Sequence, residues 1–218
     1  ARGGIVEIQA RDERLANPAH PDSAGLLSPD HLHIIENGTI QRAGVLNSTL
    51  AYLDPFYHLD PNGVLARSRA GTSPNMMMDC SAADAAAFWD DLQDKLVAKR
   101  HSRYTQPAEV SVLPPESIAV FLQGTFPMKQ QTAYCSSEEL LRAVAKHANG
   151  RPIVVKAHPQ SDIIRETAMI ERLMLEGFNL VPTDANVHDI LASCAVTVSF
   201  NSAVALEGFL YRKPAILF

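Results

Sequence analysis

The second half of the chain alternates short apolar runs with helical stretches, and this alternation constrains the fold more than any other feature of the sequence. Runs at 118–122, 153–156, 178–181, 195–199 and 215–218 are too short for buried helices, so each is predicted to be a strand. The segments between them carry helix signals. Ser136-Ser137-Glu138-Glu139 is a capping box opening a helix that ends before Gly150, and Asp162 opens another that ends at Gly177. Shorter helices are predicted at 187–193 and from Ser202 or Ala203 to Tyr211. Such a succession argues for a parallel α/β sheet of Rossmann type. Right-handed crossovers then bring the C-terminal ends of the strands to one edge, where open α/β sheets bind their ligands.

The first half is less regular. Residues 1–30, with Pro18, Pro21 and Pro29, read as loop with one short strand at 5–8. Residues 32–36 are strand-like and end at the turn dipeptide Asn37-Gly38, which puts Glu36 at a strand end. Residues 44–69 hold two Asp-Pro pairs and an Asn62-Gly63 turn, so irregular or hairpin structure is expected. Ser81 to Asp84 is a variant capping box, and Phe88, Leu92 and Leu96 recur at four-residue spacing, which predicts an amphipathic helix from 82 to about 100. Residues 102–116, with Pro107, Pro114 and Pro115, have the character of a linker. The domain expectation is therefore a partial N-terminal lobe with a linking helix at 1–110 and a Rossmann-like domain at 111–218. The last residues, from Pro214 to Phe218, read as a strand that stops as it forms, so the second domain is expected to be truncated there.

Composition excludes several function classes. With 46% apolar and 20% charged residues the chain falls in the globular range. Its 24 acidic and 19 basic side chains give a net charge of −5, and no Lys/Arg run exceeds a pair such as Lys99-Arg100, so nucleic acid is not an expected partner. No apolar run approaches the ~18 residues of a membrane span, and the N-terminus has no signal-peptide core; a cytoplasmic location is expected, peripheral to a membrane at most. Cys80, Cys135 and Cys194 are widely spaced and form no CxxC pair, so reduced thiols are expected and no metal site. His31 and His33 share a strand face but lack a third ligand nearby. Dinucleotide fingerprint, P-loop and nucleophile elbow are all absent.

Two strand ends carry chemistry. Lys156-Ala157-His158-Pro159 closes an apolar strand with a cation, an imidazole and a proline, and Ser199-Phe200-Asn201-Ser202 leads a strand directly into a helix. Hydroxyls and N–H groups at a helix start attract phosphate, so together these form a phosphate-binding constellation. One N-cap needs only one of Ser199, Asn201 and Ser202, and three polar residues in four positions point to a ligand. His158 fits a turn histidine as well as a ligand contact, and Lys156 fits a solvated lysine. Glu207, one turn past Ala203, is positioned for a ribose hydroxyl, although an exposed helical glutamate is the plainer reading. Gln123-Gly124-Thr125 presents an amide, bare backbone and a hydroxyl to the same edge, and a simple turn explains the glycine equally well.

In order along the chain, Ile35-Glu36-Asn37-Gly38, the segment 59–63 (Leu-Asp-Pro-Asn-Gly), Ser102-Arg103-Tyr104, the segment 120–123 (Val-Phe-Leu-Gln), the Lys156 to Pro159 strand end and the Ser199 to Ser202 turn with 205–214 behind it resemble the capsule polysaccharide biosynthesis proteins, the group that includes the bacterial β-Kdo transferases. The resemblance covers roughly residues 32–218. It implies a GT-B glycosyltransferase whose C-terminal half binds a nucleotide sugar. On that basis His158 contacts the donor phosphate or cytidine, Ser199, Asn201 and Ser202 hold the phosphate, and Lys156, Gln123 and Glu207 add contacts. The implied donor is CMP-β-Kdo, with no metal and no other cofactor, and the implied acceptor is an oligosaccharide or glycolipid handled with capsule assembly proteins at the inner membrane. Near residue 36 the family pattern has an acidic pair before glycine, with a carboxylate acting at the anomeric carbon. Here Asn37 takes the nucleophile's place, where an amide serves neither as nucleophile nor as base, and Glu36 becomes the acid/base candidate. The alternatives are a GT-B transferase with another nucleotide donor, or an inactive nucleotide-binding or scaffold module of a capsule assembly complex.

Overall fold

The computed structural model describes residue 27 and residues 30–64, 67–72, 80–129, 131–159 and 161–218. The strand expected at 5–8 lies outside the described residues. Packing divides the chain into two compact units, residues 1–81 and 82–218.

The first unit holds three strands, β1 (His33–Glu36), β2 (Val45–Leu50) and β3 (Tyr57–Asp60), with β2 central, parallel to β1 and antiparallel to β3. Of the two expectations for 44–69, the hairpin is the one observed. Asn37 ends β1 at φ +53°, and its N–H donates to Ser48 O at 2.6 Å. The fully buried Asn47 joins the loops around the sheet, accepting from Ile40 N at 3.0 Å and donating to Ile40 O at 3.0 Å and Asp60 O at 3.2 Å. Burial pushes the Asp60 carboxyl up, but the N–H groups of Asn62 and Arg69 and the Arg69 guanidinium outweigh it and hold the carboxyl below its usual range. Arg69 opens the single helical turn α1 (Arg69–Thr72).

The second unit starts with α2 (Ala82–Leu92), which continues as a π-helical stretch over Gln93–Val97. Leu92 and Leu96 of the predicted stripe are buried, whereas Phe88 is 52% exposed, so the buried face begins one turn later than the spacing suggests. The helix closes with a Schellman pattern: His101 N–H donates to Leu96 O at 2.8 Å and Arg100 N–H to Val97 O at 3.0 Å.

The rest is the predicted α/β succession: β4 (Ser117–Phe121), a helical turn α3 (Phe126–Lys129), α4 (Ser137–His147), β5 (Ile153–Lys156), α5 (Ile163–Leu175), β6 (Leu180–Pro182), α6 (Val187–Ser193), β7 (Cys194–Ser199), α7 (Val204–Leu210) and β8 (Ala215–Leu217). The capping box at Ser136 and the Asp162 cap are both formed. Gly177, at φ +94°, takes the left-handed position after α5. Phe178, placed in a strand by its apolar character, instead bonds back to Leu173 O within that helix end, so β6 begins at Leu180.

The sheet is all parallel, in the order β6-β5-β4-β7-β8. One face carries Ile118, Val120, Val155 and Val198 against Leu140 and Leu141 of α4 and Ile170 and Leu173 of α5. The other carries Ala119, Phe121 and Val154 against Val187, Ile190 and Leu191 of α6. From β4 the chain winds outward to β6, then returns to the other side of β4 for β7 and β8. The reversal opens a crevice at the C-terminal ends of β4 and β7, the usual ligand position in such sheets. Among the described residues no helix is long and apolar enough to cross a membrane.

Candidate functional site

Gln123 follows β4 and Asn201 follows β7, so the winding reversal sets their side chains face to face. Gln123 Nε2 donates to Asn201 Oδ1 at 2.8 Å, and Asn201 N–H donates to Gln123 Oε1 at 3.0 Å. Asn201 Nδ2 donates onward to Thr132 Oγ1 at 2.9 Å. Behind this pair the turn into α7 is satisfied internally. The buried Ser199 Oγ accepts from Ser202 N–H and Ser202 Oγ accepts from Val204 N–H, each at 3.3 Å. The N–H groups that the sequence assigns to phosphate therefore meet protein oxygens in this structure: Gln123 Oε1 across the crevice for Asn201, and the turn's own hydroxyls for Ser202 and Val204.

At the end of β5, Lys156 Nζ donates to Asp184 O at 2.9 Å and Ala185 O at 2.7 Å, tying β5 to the segment after β6. Burial pulls its pKa below the usual lysine range. His158 is half-buried, with the Tyr104 ring edge-on to its imidazole at 5.1 Å between centroids. Burial lowers its pKa, which favours the neutral ring near neutral pH.

Glu166, unnoticed in the sequence, is a buried acid on α5 that accepts from Gly124 N–H at 3.0 Å and from the Ser161 hydroxyl at 2.6 Å. It joins the loop after β4 to the loop after β5. Gly124 lies at φ +60°, and a Cβ there would approach Ser161 Cβ to 3.0 Å, so packing between the two loops accounts for the glycine. In the sequence Glu166 looks like any acid in a helix's first turn, and no signal separates it.

Glu207 is buried, 5% exposed, and not the exposed helical glutamate that was the plainer expectation. Its Oε1 accepts from Ser102 Oγ at 2.7 Å, while Oε2 is buried without a hydrogen-bond partner. Burial raises its pKa, and the Ser102 hydroxyl bond offsets this only in part.

Ser102 belongs to the segment predicted as a linker, which has little regular structure but is firmly attached. Arg100 makes a bidentate pair with Asp189 of α6 at 2.9 and 2.7 Å and donates to Ala108 O and Glu109 O. Asn186 Nδ2 donates to Pro107 O at 3.0 Å. The segment curls round a cavity of about 510 Å³ lined by residues 99–108 and Asn186.

Gln123, Lys156, His158, Ser199, Asn201, Ser202 and Glu207 all belong to the second unit. Glu36 and Asn37 belong to the first. Both are exposed at the end of β1, and Asn37 Oδ1 accepts from Thr49 Oγ1 at 2.7 Å. His31 and His33 have ring centroids 6.3 Å apart, and among the described residues no group of three His, Cys, Asp or Glu side chains is arranged to hold a metal. The second unit thus brings amides, hydroxyls and a half-buried imidazole to the C-terminal edge of its sheet.

No family model matches the sequence, and no curated protein matches it. Solved structures do. KpsC of Thermosulfurimonas dismutans, a β-Kdo 2,4 transferase, superimposes with a TM-score of 0.56 at 16% identity, over 80% of this chain and 61% of that one. A β-Kdo 2,7 transferase KpsC of the same organism gives a TM-score of 0.53 at 16% identity, over 85% and 63%. The chain therefore spans about three fifths of the length of each. At this identity the likeness is one of architecture, and it shows that the chain has the α/β fold of these transferases.

Proposed function

We propose that the chain is the donor-binding part of a glycosyltransferase of surface polysaccharide biosynthesis, which moves a sugar, most simply Kdo, from a CMP-activated donor to a glycan or glycolipid acceptor. The observation that carries this reading is the winding-reversal crevice, where Gln123, Asn201 and the Ser199–Ser202 turn converge, in a fold shared with Kdo transferases. The phosphate of the departing CMP gains charge as the glycosidic bond breaks, and fixed N–H and hydroxyl dipoles stabilise that charge without a metal. Ser199, Asn201 and Ser202 take this role, with Gln123 yielding to the phosphate. His158 contacts the phosphate or cytidine, Lys156 holds the neighbouring loop, and Glu207 receives a ribose hydroxyl. Glu36 is the acid/base group. The work takes place in the cytoplasm, at the inner membrane with other capsule assembly proteins.

Calorimetric titration of the chain with CMP, with UMP and GDP as controls, tests the donor assignment. The expected result is selective CMP binding that weakens at least tenfold in His158→Ala, about 1.4 kcal/mol. Unchanged affinity removes His158 from the site, equal affinity for the three nucleotides points to another donor, and no binding removes the nucleotide reading.

Asn37 favours a second reading, a nucleotide-binding module without turnover, because its amide stands in the nucleophile's place and accepts a hydrogen bond from Thr49. CMP binding without CMP release from CMP-Kdo, in the presence of acceptor, would establish it.

A further inference from the structure

From Lys99 to Gln106 the chain alternates in exposure. Lys99, His101, Arg103 and Thr105 are exposed, while Arg100, Ser102, Tyr104 and Gln106 are half-buried. Each inward side chain grips a different point of the α/β unit. Arg100 holds Asp189 on α6, Ser102 holds Glu207 on α7, the Tyr104 ring stands against His158 after β5, and Gln106 Oε1 accepts from Val187 N–H at the start of α6. One strap thus covers two of the residues assigned to the ligand, and it does so with side chains two positions apart.

The chemistry of those contacts is that of a ligand. A serine hydroxyl donates to Glu207 as a sugar hydroxyl would, and the Tyr104 ring stands edge-on to His158 where a ligand group would meet the imidazole. The fit is incomplete. Glu207 Oε2 is buried with no donor, so the closed strap leaves half of a carboxylate unsatisfied, and leaving a buried acceptor unpaired is costly. A ligand carrying two adjacent hydroxyls satisfies both oxygens where a single serine satisfies one.

We infer that the strap 99–106 is a latch on the nucleotide site: Ser102 and Tyr104 hold Glu207 and His158 and give way to the ribose diol and its neighbouring groups on binding. The inference rests on the nucleotide reading above and adds to it a conformational step. The free energy spent in releasing Ser102 and Tyr104 subtracts from ligand affinity, so weakening the latch strengthens binding. A positioning role for Ser102 requires the opposite sign.

The test is CMP binding by stopped flow and calorimetry to the full chain and to Ser102→Ala, Ser102→Thr and Tyr104→Leu. The latch predicts about tenfold tighter CMP binding in Ser102→Ala and Tyr104→Leu, carried by a faster association rate. Ser102→Thr, which keeps the hydroxyl, binds as the unsubstituted chain does. Weaker binding in Ser102→Ala, restored in Ser102→Thr, overturns the latch in favour of positioning, and unchanged binding in both weakened variants overturns it outright. If the unsubstituted chain and all three variants bind none of CMP, UMP and GDP while keeping their circular dichroism, the nucleotide reading falls and the latch with it.

Discussion

Arg100→Ala is expected to lower the unfolding free energy by about 3 kcal/mol, the order found when one partner of a largely buried ion pair is removed. The guanidinium is 26% exposed and the Asp189 carboxylate 10%, so the pair is well shielded from solvent. Its loss leaves Asp189 with the Ser111 N–H, at 2.9 Å, and frees the carbonyls of Ala108 and Glu109. The backbone strengthens the argument. Arg100 sits at φ +50°, a position that favours glycine, yet a large side chain is placed there because it reaches Asp189 and two carbonyls at once. Urea unfolding of the single variants and of the double variant with Asp189→Asn measures the pair directly. A coupling energy below about 0.5 kcal/mol, within the error of independent sites, would show that the bidentate bond does not hold the strap.

Glu207→Gln is expected to stabilise the chain, and only above the acidic range. Burial raises the folded-state pKa of Glu207 above its ordinary value of 4.5, so the folded protein favours the protonated acid. The stability this contributes is complete below the unfolded pKa and is lost as pH rises through the folded value. Glutamine keeps an acceptor for Ser102 and carries no charge to bury. The gain should be about 2 kcal/mol at pH 8, comparable to an unmet buried polar group, and near zero at pH 4. For a chain of this size that is a rise in Tm of very roughly 4–8 °C at the higher pH. An equal gain at both pH values would show that the charge on Glu207 is not its cause.

The α/β half of the fold was legible because its signals are local. The capping box at Ser136, the Asp162 cap and the Gly177 stop each act within one or two turns, and the short apolar runs between them supply the strands. Phe178 was misplaced because an apolar residue after a glycine stop serves a helix end as readily as a strand. The site was half legible. Polar residues at strand ends are visible in any strand-to-helix turn, but their partners are not: Gln123 and Asn201 are 78 residues apart, Arg100 and Asp189 89, and Ser102 and Glu207 105. A proline-rich stretch without period reads as linker because its inward residues are polar and bond to distant elements. The alternation at 99–106 leaves no hydrophobic trace for the same reason.

Glu166 makes a mechanical unit of two loops that the sequence separates by α3, α4 and β5. One carboxylate receives the backbone of Gly124 with one oxygen and the hydroxyl of Ser161 with the other, so the loops after β4 and β5 share a single rigid strut. The loop that carries His158 is thereby braced against the loop that carries Gln123. Gln123 and His158 thus stand on one braced wall of the crevice, and the β7 turn with Asn201 forms the other.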